Sequence, residues 1–362
     1  EVGALPSGLM FPGLHDLPGD APLPPGGGIG GVISNQVFTA NPPVHGPVRM
    51  TLWRQFNPKK AAEMEDTARL VVRGILHDIR LRSEIDFIAH VAEQLTARFW
   101  GQMIGMKREE IAAAAIAVRD MTSMFYIRMT MDDLQLADTA TAAYGRLVEA
   151  AALRSLAAGK HPLVNDLAKD LAEIDLADDP AEAGAVAKNV GKLLAGNLVD
   201  GFHTAAIAAA NTMYALLQNP DAMDELRAHP DKIGAAVMEA LRCEPPVIAL
   251  KRYVLRDTTY AGATIPKGTT VMMLWAAGNH DPAVFDQPAE FRLDRDLRGV
   301  TTFGGGAHIC VGRIVATMLV RVLLEELHAQ DIRLTLAGDD YPWIGNHLMC
   351  QMRHMPLNVQ AG

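Results

Sequence analysis

The chain has 362 residues, of which 49% are hydrophobic and 21% charged, so its length suits one large globular domain or two ordinary ones. A formal net charge of −9 leaves no basic surplus to neutralise phosphates, which argues against a nucleic-acid partner. Three scattered cysteines cannot form a disulfide framework. With neither a membrane-length apolar run nor a signal peptide visible, the sequence predicts a cytoplasmic protein without a membrane span.

In chain order, residues 1–40 are rich in Gly and Pro and predict a loop. Residues 58–171 are Ala-, Leu- and Met-rich with helical periodicity, interrupted near Gly105 and Gly159. Pro180 is expected to open a long helix, which continues to about Gln218. Two shorter helices are predicted at Pro220–Ala228 and Pro230–Cys243.

The sequence changes character after Pro245-Pro246. Further elements are predicted in this half of the chain: strands at Val247–Leu255 and Thr269–Leu274, a meander over 279–302, a last long helix from about Cys310 to Ala329, and strands at Ile332–Leu336 and about His347–Val359. The fold class is therefore mainly α with a small β-rich part. A single domain over 1–362 is predicted, with 41–245 and 303–330 mostly helical and 246–302 and 331–362 rich in strands and meander.

The strongest local signal is the segment 303–312, Phe-Gly-Gly-Gly-Ala-His-Ile-Cys-Val-Gly, directly before a helix. Glycines let the backbone turn tightly and approach a flat ligand closely. Cys310 at a helix N-terminus is favoured as a thiolate, which is the metal-binding form of the side chain. The segment therefore suits a metal that is held from one side by a single sulfur.

Three other interpretations of this segment stay open on the residues alone. A phosphate cradle lacks its third glycine and its lysine. A zinc site needs further ligands, whereas Cys243 and Cys350 stand alone. A buried structural cysteine remains the ordinary alternative.

The segment resembles the haem-binding loop of the cytochrome P450 family, Phe-Gly-x-Gly-x-His-x-Cys-x-Gly, at every fixed position. The resemblance implies a haem b cofactor in a triangular helical prism. Cys310 would be the axial iron ligand, His308 would lie near a propionate, Phe303 would pack against the sulfur face of the macrocycle, and Gly304 would lie against the cofactor. Family members carry several dozen residues before the regions matched here, so the N-terminal part is expected to be truncated.

A second segment, Glu239-Ala240-Leu241-Arg242, matches the family's Glu-x-x-Arg motif. The spacing alone predicts only an ion pair on one helix face. The resemblance implies that Glu239 and Arg242 join Arg295 of the meander in a structural network beneath the haem.

A third segment, at 42–49, matches the family's Pro-Pro-x-His-x-x-x-Arg. His45 and Arg49 lie one helical turn apart, which by itself is consistent with a solvated basic face. The resemblance implies that both side chains bind haem propionates. It adds Arg252, on a predicted strand, as the third propionate partner.

The long helix carries a fourth match at Gly201-Phe202-His203-Thr204, where the family has Gly-x-[Asp/Glu]-Thr. The resemblance implies that Thr204 holds oxygen and its relay water. His203 replaces the usual acid, so it is expected either to relay protons or to face away, and Asp200 is the alternative proton carrier. The substrate pocket is expected to include Leu198, Gly201, Phe202, Val247, Ile248, Ala249, Trp343 and Ile344.

The activity implied by the resemblance is a monooxygenase that inserts one atom of O2 into a C–H bond of a small to medium hydrophobic substrate. Its electrons would come from NAD(P)H through a separate ferredoxin or flavodoxin. A haem-thiolate peroxygenase or reductase and a non-catalytic haem sensor are the alternatives. Retention of Thr204 favours the monooxygenase.

Overall fold

The computed structural model describes residues 2–4, 27–174 and 189–361. Its α-helices are α1 Gly28–Ile33, α2 His45–Phe56, α3 Pro58–Ile79, α4 Glu93–Ile104, α5 Arg108–Met121, α6 Met131–Ala158, α7 Pro162–Ala172, α8 Val190–Gln218, α9 Pro220–Ala228, α10 Ile233–Cys243, α11 Trp275–Asn279 and α12 Arg313–Ala329. Its strands are β1 Val2–Ala4, β2 Glu84–Asp86, β3 Leu250–Val254, β4 Thr258–Tyr260, β5 Ala263–Ile265, β6 Thr270–Met273, β7 Ile332–Leu336 and β8 Pro356–Ala361.

The helical half follows the sequence signals closely. Helix α3 begins at Pro58 behind Asn57, whose side chain accepts a hydrogen bond from the Lys60 N–H. Helices α4 and α6 end at Gly105 and Gly159, which adopt the left-handed conformation with φ of 76° and 63°. The predicted interruptions of the helical pattern are therefore C-terminal caps.

Helix α1 corrects the expectation of loop throughout residues 1–40, and β1 lies in the same stretch. Packing against α6 overrides the low helix propensity of this Gly-rich segment, because α1 approaches α6 so closely that a side chain at Gly28 would collide with the Asp138 carbonyl oxygen. The Asp138 carboxylate accepts a hydrogen bond from the free Ile29 N–H at 2.8 Å. Residues 1 and 5–26 of the predicted loop lie outside the described residues.

The central element is α8, which packs against α4, α6, α10 and α12. It begins at Val190, where the Asn189 side chain caps the first turn, and not at the predicted Pro180, which lies outside the described residues. By length and composition α8 could cross a membrane, but 72% of its most apolar window is buried inside the fold. The helix is apolar on most of its faces because it is surrounded by other helices.

Small antiparallel sheets make up the β-rich part. The strand orders are β1-β3-β6, β2-β8-β7 and β4-β5. The hairpin β4-β5 lies between the two predicted strands, where only turn residues were expected. The last predicted strand begins later than expected, because residues before Pro356 are held by isolated bridges such as Trp343 to Met352.

Helix α12 also begins later than predicted, at Arg313 and not at Cys310. Gly304 and Gly306 take left-handed φ values of 68° and 64°, and a short 3₁₀ turn covers Gly306–His308. The loop therefore turns twice before the helix starts, which leaves the cysteine on the loop. Buried apolar side chains from both halves form one contiguous cluster around α8.

Candidate active site

A cavity of about 310 Å³ lies between α8 and the loop that carries Cys310. Helix α8 contributes one wall with Leu198, Gly201 and Thr204, and Phe303 and Cys310 lie in the opposite wall. Apart from a few polar groups the wall is apolar, as expected for a site that binds a hydrophobic molecule.

The cysteine loop is held by its own backbone. The Cys310 N–H donates to the Phe303 carbonyl at 2.8 Å, and the Gly304 N–H donates to the Thr301 carbonyl at 2.8 Å. The Arg49 guanidinium donates to the Ile309 carbonyl. These bonds fix the sulfur at the cavity wall with its side chain open to the cavity.

The thiol of Cys310 is subject to opposing influences. Enclosure by the protein raises its pKa, and the Asp200 carboxylate adds to this, whereas a hydrogen bond from the Gly312 backbone and the charges of Arg313 and Arg49 lower it. The net pKa is raised, so the protein alone does not hold the thiolate that the helix N-terminus was expected to favour. A bound cation would have to supply the missing stabilisation.

Basic side chains from three distant segments meet at one edge of the cavity. Arg49, Arg252 and His308 line it, and the His45 ring lies 4.0 Å from that of His308. His45 Nε2 and His308 Nδ1 are buried without a hydrogen-bond partner. Within residues 27–174 and 189–361, no carboxylate forms an ion pair with any of the four.

Burial and mutual repulsion penalise this cluster when it is charged. Burial, together with the neighbouring His45, Arg252 and Arg49, lowers the pKa of His308 to about 4. Burial also lowers the pKa of Arg252 and of Arg49. Unpaired cations in a poorly solvated place are costly, so the cluster is suited to an anionic ligand.

The polar groups of α8 lie in the wall that faces Cys310. The Thr204 hydroxyl donates to the Asp200 carbonyl at 2.6 Å, and the Gln36 amide donates to the Asp200 carboxylate at 3.1 Å. Burial raises the pKa of Asp200 to about 7. His203 is also on the cavity, and burial lowers its pKa to about 4, so its imidazole is neutral at neutral pH.

Asp200→Asn is expected to remove a pH dependence of stability. Folded Asp200 keeps its proton up to about pH 7, whereas the unfolded side chain loses it near pH 3.8, so Asp200 weakens the fold progressively between these values. Relative to the variant, the wild type should lose roughly 2–3 kcal/mol between pH 5 and pH 8. Urea unfolding at both pH values measures this difference. Exposed Asp294→Asn should show no such loss, and equal slopes for the wild type and Asp200→Asn would contradict the assignment.

Glu239, Arg242 and Arg295 come together in a buried network. Arg242 donates to both Glu239 carboxylate oxygens, at 2.8 and 2.9 Å, and Arg295 donates to Glu239 Oε1 at 3.0 Å. Arg242 also donates to the backbone carbonyls of Asn279, Pro288 and Glu290. The network therefore ties α10 to the meander that precedes the cysteine loop.

The cavity wall differs from the predicted pocket on α8. Leu198 and Gly201 lie on it, but Phe202 does not. Successive residues of a helix are rotated by about 100°, so Phe202 points away from the Gly201 face. Its ring packs edge-to-face against Tyr144 of α6, with centroids 5.7 Å apart.

Beyond α8, Val247 lies on the wall, whereas Ile248, Ala249, Trp343 and Ile344 do not. Ile248 is drawn towards the C-terminal segment by a 2.8 Å hydrogen bond from its N–H to the Leu348 carbonyl. Trp343 is 41% exposed and packs against Tyr214. These four residues are corrections to the expected pocket.

Other wall residues were missed by the sequence analysis. The segment after α1 contributes Gln36, Val37 and Phe38, and α4 contributes Trp100. No motif marks them, and the first three fall in the stretch that was expected to be loop. The packing of α1 against α6 and a hydrogen bond from the Val37 N–H to the Asn197 side chain of α8 bring the first three to the cavity.

Comparisons with known proteins agree with this geometry. The cytochrome P450 family model matches residues 233–327, which include both the Glu239–Arg242 helix and the Cys310 loop. The chain is similar to the cytochrome P450 family in this region. The mainly helical fold with small sheets is confirmed by CalO2, whose crystal structure aligns with a TM-score of 0.83 at 22% identity over 99% of this chain and 87% of that one.

Curated relatives are more distant in sequence than in fold. Cytochrome P450 144 of Mycobacterium tuberculosis is 28% identical over 323 residues, which cover 89% of this chain and 72% of the relative. The vitamin D(3) 25-hydroxylase of Pseudonocardia autotrophica is 29% identical over 323 residues, covering 88% and 76%. Relatives named as monooxygenases and hydroxylases support the class of haem-dependent monooxygenases for this protein.

The residues around the cavity fit a haem. A haem carries two carboxylates, its propionates. In the described part of the protein no carboxylate pairs with the basic cluster of Arg49, Arg252, His45 and His308, so the propionates would supply the missing partners. Among the described residues no group of three His, Cys, Asp or Glu side chains could hold a metal alone. A metal at Cys310 therefore needs ligands from a cofactor, which a porphyrin supplies.

Proposed function

We propose that this protein binds haem b through Cys310 and inserts one atom of O2 into a C–H bond of a small to medium hydrophobic substrate. The observation that carries the proposal is the convergence, on one apolar cavity, of a lone cysteine with a cluster of unpaired basic side chains. When bound, haem supplies the activation of dioxygen, which protein side chains cannot perform.

In this proposal the protein's own residues position the cofactor and manage protons. Arg49, Arg252 and His308 bind the propionates, with His45 stacked behind His308. Thr204 lies on the cavity wall and would offer its hydroxyl to the cavity in place of its present bond to the Asp200 carbonyl. Asp200 and His203 are proposed as proton carriers, because burial brings the pKa of Asp200 to about 7 and keeps His203 neutral.

The substrate and electron source are proposed from the chemistry of the cavity. Leu198, Val247 and Trp100 make its wall apolar, so it binds an organic molecule of low polarity. One relative is named linalool 8-monooxygenase, from Pseudomonas putida, which is 26% identical over 317 residues. Electrons are proposed to come from NAD(P)H through a ferredoxin or flavodoxin in the cytoplasm, and residues 1–362 are proposed to form a single catalytic domain.

The carbon monoxide spectrum tests the proposal. The haem-loaded wild type, reduced with dithionite and exposed to carbon monoxide, is expected to show the absorption band of thiolate-ligated haem. Cys310→Ala should lose this band, whereas Cys243→Ala, which changes a cysteine outside the cavity, should keep it. A wild type without the band would refute the proposal.

A low- to high-spin shift on titration with hydrophobic compounds should accompany the band. Product formation with ferredoxin, its reductase and NADPH separates a monooxygenase from a peroxygenase, which would react with peroxide alone. A haem sensor would show neither the spin shift nor a product.

A further inference from the structure

The α8 wall of the cavity carries an acid among apolar side chains. Asp200 lies inside the fold but is only half-buried, and it lines the cavity, so its accessible surface faces the cavity. Its neighbours Leu198 and Val199 are buried apolar residues. An apolar cavity provides neither solvent nor a partner for a carboxylate, so Asp200 needs a partner from elsewhere.

The Asp200 carboxylate has no cationic partner among residues 27–174 and 189–361. Within these residues it accepts one hydrogen bond, from Gln36 Nε2 to Oδ1 at 3.1 Å, which leaves Oδ2 free. Burial raises the pKa of Asp200 to about 7, and no neighbouring positive charge lowers it. Asp200 therefore differs from the buried Glu239, which pairs with Arg242.

A second oxygen without a partner lies beside this carboxylate. Gln36 is 4% exposed, and its Oε1 is buried without a hydrogen-bond partner. The Val37 N–H donates to Asn197 Oδ1 at 2.9 Å, which holds this segment against α8. Because the nitrogen of the same Gln36 amide donates to Asp200, the two free oxygens, Asp200 Oδ2 and Gln36 Oε1, belong to one small polar area of the wall.

Neighbouring polar groups do not supply the missing donor. The Asn197 amide nitrogen donates to the Asn35 and Leu193 carbonyls. The Tyr144 hydroxyl lies outside the cavity wall, and the Trp100 indole N–H bonds to neither oxygen. Buried polar atoms are rarely left unpaired, so a molecule in the cavity is expected to supply the partner.

An ammonium group has what both oxygens require. It offers an N–H to each of them and a positive charge to the carboxylate. A hydroxyl offers one donor and no charge, a carbonyl offers no donor, and a water molecule can donate twice but leaves the carboxylate without a counter-charge.

We propose that the substrate is an apolar molecule with one protonated primary or secondary amine, which binds Asp200 and Gln36. The inference rests on the proposed function, because it names the substrate class of the same cavity. The amine would occupy the Asp200 carboxylate, which leaves His203 as the proton carrier.

Binding of two matched ligands to the haem-loaded protein tests the proposal by calorimetry. The probes are n-octylamine and 1-octanol, which share one chain and differ in the end group. At pH 8 Asp200, with a pKa of about 7, is ionised. An alkylamine, with a pKa of roughly 10, remains protonated. The amine is expected to bind about 10- to 100-fold more tightly than the alcohol, as for a charge-assisted hydrogen bond. Equal affinities overturn the proposal.

Variants assign this preference to one carboxylate. Asp200→Asn keeps the size of the side chain but removes its charge, and should abolish the preference for the amine. Asp200→Glu keeps a carboxylate and should retain most of the preference, whereas Gln36→Leu removes the second acceptor and should lose part of it. The matched control is Asp294→Asn, which removes an exposed carboxylate outside the cavity and should keep the full preference. A preference that survives in Asp200→Asn overturns the proposal.

The haem spectrum shows where the amine lies. Octylammonium held by Asp200 is expected to shift the haem from low to high spin, whereas an amine nitrogen bound to iron would keep it low-spin and overturn the proposal. A wild type without the carbon monoxide band of thiolate-ligated haem refutes the proposed function instead. The calorimetric comparison does not involve the iron, so it still decides on the site at Asp200.

Discussion

Glu239→Ala is expected to destabilise the haem-loaded protein by about 3–5 kcal/mol, because it leaves two cations without their anion in a buried place. Arg242 and Glu239 have no exposed side-chain area, and Arg295 is only 5% exposed. Burial raises the pKa of Glu239, but the hydrogen bonds from Arg242, Arg295 and the Arg292 backbone outweigh it and lower the pKa overall. The carboxylate is thus ionised and fully engaged. Urea unfolding followed by the haem absorption measures the loss.

The matched control is Asp294→Ala, which removes a carboxylate from the same meander. Asp294 pairs with Arg292 on the surface, where side-chain exposures are 72% and 37%. An exposed pair of this kind contributes about 0–1 kcal/mol. Equal losses for Glu239→Ala and Asp294→Ala would show that the network carries no special stability.

A double variant, Glu239→Leu with Arg242→Met, tests what the network does. Replacing a buried ion pair with apolar residues is often neutral. Here the double variant is expected to remain destabilised for two reasons: Arg295 keeps its buried charge without the Glu239 carboxylate, and the Asn279, Pro288 and Glu290 carbonyls lose their donor, Arg242. Recovery to wild-type stability would mean that neither the unpaired Arg295 charge nor the lost hydrogen bonds to the meander carbonyls affects stability.

The sequence could predict those features in which the interacting residues lie close together along the chain, within one motif or on one helix. Helix α3 begins at Pro58 as expected, and the Glu239–Arg242 spacing places both side chains on one face of α10. Local chemistry determines such features, because caps and i, i+3 pairs involve neighbours along the chain.

Features that depend on packing between distant segments could not be predicted in this way. Helix α1 forms because a glycine lets it approach α6, although its sequence resembles a loop. Phe202 was placed in the pocket from its neighbours, yet the choice between the two faces of α8 depends on where α6 lies. A small cavity beside His203 is lined by Gln351 from the far end of the chain, and no pattern in the sequence marks that residue.

Arg252→Leu is expected to have opposite effects on the haem-loaded and haem-free protein. The guanidinium has no carboxylate partner in the described part of the chain, and its side chain donates only to the adjacent Lys251 carbonyl among the bonds described. Without haem, removing this partly buried cation removes the cost of its burial, so the apoprotein should gain stability. With haem, the variant loses a charge-assisted bond to a propionate, worth about 1.5–3 kcal/mol, and should release haem roughly 10- to 100-fold faster.

Both effects can be measured on the same preparations, by urea unfolding of the apoprotein and by transfer of haem to an excess of a second apoprotein. Arg252→Lys keeps the charge but not the paired donors, so intermediate haem release is expected. Lys251→Leu changes the neighbouring residue on the opposite face of β3 and should leave haem release unchanged. If Arg252→Leu weakened the apoprotein and the holoprotein equally, Arg252 would be an ordinary structural residue. Stability changes of opposite sign in the apoprotein and the holoprotein are expected of a binding site for a dianionic cofactor. At such a site the cofactor, and not the protein, supplies the negative charge that pairs with Arg252.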